Sequence, residues 1–141
     1  LILDSQAGEV PVIEDKRIQE INFGELEGVI CFNDAHEYLN PEMEKFFTDP
    51  WKFKRPKHGE NIADILARTK DFWDEKIHDP SLLDKTILIA SHGCAVRALL
   101  QNVYQDPENF WHGCVPPNCS VNVVEVKDGQ AVLLEEDKVY A

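Results

Sequence analysis

The sequence predicts an α/β fold, and three observations predict it. Residues 60–77 carry apolar side chains at three- and four-residue steps. Residues 86–90 form a short, continuous apolar run. Residues 119–134 hold two β-branched stretches joined by Asp128-Gly129. A helix with one buried stripe, a strand covered on both faces and a hairpin fit together in a three-layer α/β/α sandwich. Its central sheet would be mostly parallel, with the antiparallel hairpin at one edge. At 141 residues the chain has the length of one domain, so 1–141 is read as a single unit.

Taken in order, residues 10–13 are a β-branched run broken by Pro11, the pattern of an edge strand or its lead-in. Residues 18–28 contain two glycines and no sustained period, and read as loop. Residues 29–58 mix aromatic and acidic side chains and are punctuated by Pro41, Pro50 and Pro56. A segment that long between regular elements is expected to be a lid that sets substrate specificity. In 60–77, the stripe consists of Ile62, Ile65, Leu66, Thr69, Phe72, Trp73 and Ile77, with Gly59 before it and Pro80 after it. Thr86-Ile87-Leu88-Ile89-Ala90 suits a strand buried on both sides. Helical spacing returns over 95–103 through Val96, Leu99, Leu100 and Val103. Residues 119–126 alternate in part, and Asp128-Gly129 turns them into 131–134. Glu135-Glu136-Asp137 reads as a solvated end.

Fourteen basic and 26 acidic residues leave a formal net charge of −12. So acidic a surface argues against nucleic-acid and anionic-membrane partners, which require a basic face. No apolar run approaches the roughly 18 residues of a membrane helix. Four cysteines without a C-x-x-C pair do not make a disulfide scaffold. With no leader-like segment, the expected compartment is the reducing cytoplasm. The chain opens at Leu1 in Leu-Ile-Leu, with no cap before it, and is read as N-terminally incomplete.

The sharpest chemical feature is Ile89-Ala90-Ser91-His92-Gly93-Cys94, where a strand is expected to end and a helix to begin. Sites in open α/β sheets form beyond the carboxyl ends of strands, and a helix N-terminus points free N–H groups at an anion. His92 there binds an anion or shuttles a proton, and Gly93 lets a ligand or another backbone come close. The competing reading is a structural histidine at a strand terminus. A second feature is Glu20-Ile21-Asn22-Phe23-Gly24-Glu25-Leu26-Glu27-Gly28, where a carboxyl beside apolar neighbours suits a general acid. Its alternative is solvated loop charge. In the third, Lys52 to His58, Lys54 and Arg55 would steer an anionic substrate or, more simply, pair with nearby acids. His112, Cys114 and Cys119 match no common zinc spacing, so no metal or cofactor is expected, and the cysteines read as small buried hydrophobes.

Together these segments resemble the histidine phosphatase superfamily, the phosphoglycerate-mutase-like fold. Residues 20–28 are similar to its E-x-x-x-G-x-x-E-G loop. Gly59-Glu60-Asn61, with Asp64 and Arg68, is similar to its G-E-S/N segment and following helix. Ser91-His92-Gly93, with Val96-Arg97-Ala98-Leu99-Leu100, resembles its second catalytic histidine and the helix behind it, and Asn118-Cys119-Ser120-Val121 the strand that follows. The resemblance implies that His92 holds the transferring phosphoryl group and that Glu20 protonates the leaving oxygen. Phosphoryl transfer needs positioned positive charge and a proton for the leaving group, which suits both roles. Gly93, Cys94, Lys54 and Arg55 are the expected phosphate contacts.

The family's phosphoryl-accepting histidine lies in an Arg-His-Gly motif, and no Arg-His-Gly occurs in these 141 residues. The chain alone is therefore expected not to turn over. The intact protein is expected to be a phosphatase acting on a small phosphorylated metabolite, because the basic residues of 29–58 are mainly lysines, which lack the planar fork suited to a carboxylate. A phosphoglycerate-mutase-type transfer and a non-catalytic phosphate-binding module are the alternatives. A sheet lacking a strand would also expose an edge that invites a second copy to pair.

Overall fold

The computed structural model describes residues 10–140. Among them are three α-helices, α1 (Pro41–Thr48), α2 (Ile62–His78) and α3 (Gly93–Leu100), and two strands, β1 (Val121–Lys127) and β2 (Gln130–Lys138). The N-terminus of α1 is set by Asn40, whose side chain accepts from the amides of Glu42 and Met43, with Pro41 in the first turn. Asn61 and Asp64 form a reciprocal capping box at the start of α2. Its buried face is Ile62, Ile65, Thr69 and Phe72, four of the seven residues predicted, while Leu66, Trp73 and Ile77 are half-buried. The helix packs along α3, which buries Cys94, Ala95, Ala98, Leu99 and Leu100.

The core is completed from an unexpected direction. Met43 and Phe46 of α1, together with Phe53, pack with Ile62, Ile65, Phe110 and Trp111. Phe46 meets Phe23, Phe53 and Trp111 edge-on at centroid separations of 4.9, 5.3 and 5.2 Å. The Trp111 indole N–H also donates to the Phe46 carbonyl at 2.9 Å. Met43, Phe46 and Phe53 thus anchor 29–58 in the core. The more exposed portion is the stretch around the isolated Phe32–Tyr38 bridge.

The hairpin forms as predicted, turning at Asp128 and Gly129, both at positive φ. The rest of the expected sheet does not appear among the described residues, whose only sheet is this two-stranded one. Among the described residues, 86–90 have no strand partner and are exposed, with Leu88 at 71%. An apolar run becomes a buried strand only when neighbouring strands cover it and satisfy its amides, and none of the described residues does so. Residues 10–13 are likewise unpaired and exposed. The acidic end is not simply solvated: Glu136 and Asp137 pair with the fully buried Arg97 of α3 and dock β2 onto that helix.

Candidate active site

Two loops interlock to build the site. The Glu60 amide donates to the Asn22 carbonyl at 2.7 Å, and the Asn22 amide returns to the Glu60 carboxylate at 3.0 Å. One step along, the Glu25 amide donates to the Lys57 carbonyl at 3.1 Å. Gly24 sits there at φ +54° because a side chain would collide with the Lys57 carbonyl, only 2.3 Å from where its Cβ would be. This clasp fixes the backbone that carries Glu20 against the start of α2.

Glu20 then reaches across to α3. Its carboxylate accepts from the amides of Cys94 and Ala95 at 3.1 and 3.0 Å, and from the amide of Ile21 at 2.9 Å. The first two are free donors of the α3 N-terminus, where the helix dipole favours a negative group. His92 is the extended residue at that N-terminus, with an exposed ring and no side-chain capping bond. Ser91 ties the same turn back, donating from its hydroxyl to the Ile18 carbonyl at 2.7 Å. Glu20 thus caps the helix that follows His92, a residue 72 positions away in the chain. Both Glu20 oxygens accept hydrogen bonds, so delivering a proton from this carboxyl requires one of those contacts to open.

The other four expected contacts are placed differently. A Cβ on Gly93 would lie 2.8 Å from the Val115 side chain and 3.8 Å from a Glu20 oxygen, so the space left by this glycine is filled from within the fold. The Cys94 amide faces Glu20, while its thiol is buried. Burial and then the nearby Glu20 charge push that thiol well above its usual range. Arg55 is paired with Asp64 in the first turn of α2. The Lys54 amide donates to Glu42, and its side chain is exposed. Neither basic side chain is hydrogen-bonded to Glu20 or His92.

Two arginines outside that patch make the denser hydrogen-bond networks. Arg68 donates to the carbonyls of Arg17, Gln19 and Glu20 and to both oxygens of Glu60. That arginine holds the Glu60 carboxyl below its usual range. Arg97 has no exposed surface and donates to the Cys114 carbonyl, the Tyr104 hydroxyl, Glu136 and Asp137. The spacing of α3 shows why it is inside: Arg97 falls between Val96 and Ala98 on a helix that is buried almost all round. A charge within so apolar a run signals an internal partner.

The family model for the histidine phosphatase superfamily (branch 1) matches residues 1–137. The chain belongs to that superfamily. Its relatives include three named 2,3-bisphosphoglycerate-dependent phosphoglycerate mutases. That of Gloeobacter violaceus, numbered 2 in its name, is 31% identical over 98 residues, covering 67% of this chain and 42% of the relative. The Cytophaga hutchinsonii protein is 27% identical over 117 residues, covering 79% and 52%. A Neisseria meningitidis protein is 29% identical over 149 aligned positions, covering 88% and 65%. The chain therefore spans about half the length of the relatives it matches. No solved structure matches it. No described helix is long and apolar enough to cross a membrane. In this histidine phosphatase chain, the loop bearing Glu20 and the Gly59-Glu60 segment form a single clasped unit, and the His92 turn docks on it through Glu20 and Ser91.

Proposed function

We propose that the intact protein is a cytoplasmic phosphomonoester phosphatase acting on a small phosphorylated metabolite through a phosphohistidine intermediate. The nucleophilic imidazole belongs to an Arg-His-Gly segment that the 141 residues do not contain. With that segment in place, residues 86–90 serve as a strand of a mostly parallel sheet in a three-layer sandwich. The nucleophile's nitrogen attacks phosphorus, the bond from phosphorus to the leaving oxygen breaks, and that oxygen takes the proton of the Glu20 carboxyl. The oxygen of water then attacks phosphorus, the phosphorus–nitrogen bond breaks to restore the imidazole and release inorganic phosphate, and the proton lost by the water returns to the Glu20 carboxylate. His92 donates a hydrogen bond to a phosphoryl oxygen, helped by backbone at Gly93 and Cys94 once Glu20 swings off the helix end. Lys54 and Arg55 draw anions toward a strongly acidic chain.

The observation that supports this reading is the Glu20 carboxylate on the amides of Cys94 and Ala95, immediately after His92. That contact holds the Glu20 carboxyl at the anion-attracting end of the helix. The test is hydrolysis of p-nitrophenyl phosphate by this chain and by an N-terminally extended protein carrying Arg-His-Gly. Activity is expected in the extended form alone, and His92→Ala should abolish it. Full activity in that variant overturns the site. Inactivity of both forms leaves a phosphate-binding module.

The relatives' names favour a second reading, phosphoryl transfer between phosphoglycerates. Incubating the extended protein with 3-phosphoglycerate and 2,3-bisphosphoglycerate separates the two. Release of inorganic phosphate marks the phosphatase; interconversion of phosphoglycerate isomers without it marks the mutase.

A further inference from the structure

We propose that Arg68 is a positioning residue for Glu20, an inference that rests on the reading of Glu20 as general acid. The guanidinium has five N–H donors, and the structure uses all five. Nε and one Nη2 hydrogen go to Glu60, at 2.7 and 2.9 Å. The other Nη2 hydrogen goes to the Glu20 carbonyl at 3.1 Å, and Nη1 serves the carbonyls of Arg17 and Gln19, both at 2.8 Å. One side chain thus grips the backbone of Arg17, Gln19 and Glu20 itself. Glu60 extends the grip past it by accepting the Asn22 amide at 3.0 Å. Between these anchors the Ile21 side chain is buried in the core.

The consequence is a fixed origin for the Glu20 side chain. Arg68 stands on α2 beside Thr69, which is fully buried, so the grip is referred to a packed helix and not to another loop. A carboxyl that must alternate between the α3 amides and a leaving oxygen has few rotatable bonds, and a shift of its backbone by an ångström takes the proton out of reach. Only a planar fork satisfies three carbonyls and a carboxylate together. A lysine ammonium, with three donors, would leave two of the five acceptor contacts unmade.

The test compares leaving groups in the extended protein. Glu20→Gln should slow an alkyl phosphate about tenfold or more beyond its effect on p-nitrophenyl phosphate, as loss of a proton donor requires. Arg68→Lys should show the same selectivity in kcat, in smaller degree, and should add little to the selectivity of Glu20→Gln in the double variant. In the 141-residue chain, Arg68→Lys should also speed hydrogen exchange at the Cys94 and Ala95 amides, as Glu20→Gln does. Equal slowing of both substrates by Arg68→Lys, beside a selective Glu20→Gln, overturns the positioning role alone. A non-selective Glu20→Gln overturns the general-acid reading and this inference with it. Should Arg68→Lys not fold, Glu60→Gln, which loosens the same guanidinium, must reproduce the selectivity or the proposal fails.

Discussion

Gly24 and Gly59 meet backbone to backbone: a Cβ on Gly24 would lie 2.5 Å from the Gly59 nitrogen, and one on Gly59 would lie 3.0 Å from the Gly24 nitrogen. Neither neighbour can rotate away. Gly24→Ala therefore combines left-handed strain with a main-chain clash and should cost about 3 kcal/mol in urea unfolding. Gly129→Ala is the control. It has positive φ but nothing within 4 Å of the new methyl, and should cost about 1 kcal/mol. Similar losses at the two positions would refute the clasp.

Arg97 contributes in a different way. Replacing it with Met removes the cation from a network in which Asp137 is mostly shielded and one of its oxygens already has no partner. The expected loss is about 3 kcal/mol, the lower end for breaking a buried ion pair, because Glu136 keeps access to water. Lys45→Ala breaks a surface pair with Glu42 and should cost less than about 0.5 kcal/mol. Both values come from the same denaturation series.

Acid stability follows from carboxylates held low. The hydrogen bond from Arg17 brings Asp15 from 3.8 to about 2, and Arg68 lowers Glu60 from 4.5. Between the ordinary and the lowered values the unfolded chain binds more protons than the folded one, so stability rises with pH there. The contribution is complete above about pH 4.5 and fades as pH falls toward 2. Asp15→Asn should flatten the lower part of that slope in a pH series of thermal melts.

The Cys94 thiol gives the opposite sign. Burial, followed by the charge of Glu20, raises Cys94 above 9.0, so the unfolded chain ionises first and stability falls as pH climbs past that value. In native protein near pH 8, Cys114 and Cys119, which are exposed, should react with iodoacetamide well before Cys94. Mass spectrometry of the modified peptides reads the order directly. Early labelling of Cys94 would show that α3 is not packed as described.

What the sequence revealed tracks how local each signal is. The α2 stripe, the start of α3 and the Asp128-Gly129 turn depend on residues a few positions apart, and all three appear where the periodicity put them. Residues 86–90 have the composition of a buried strand, but burial is conferred by partners, which composition cannot supply. Phe46, Phe53 and Trp111 lie in segments with no clean period, so their shared core could not be read from spacing. Arg68 and Arg97 stood in view within the motifs, yet their roles are set by carbonyls and carboxylates distant in sequence. His92 stands out by its strand-to-helix setting and Glu20 only through the family resemblance; the Glu20 carboxylate accepts from the amides of the helix that follows His92.

The contacts that organise the site also fix when it is made during synthesis. The bond from Cys94 to Glu20 spans 74 positions, and that from Arg97 to Asp137 another 40. A ribosome delivers Glu20 long before its helix, and the helix before the acids that neutralise its buried guanidinium. Until the last hairpin strand clears the exit tunnel, α3 carries an uncompensated charge in its apolar body. Assembly of this region therefore waits on the strand that carries Asp137, well after Glu20 has been made.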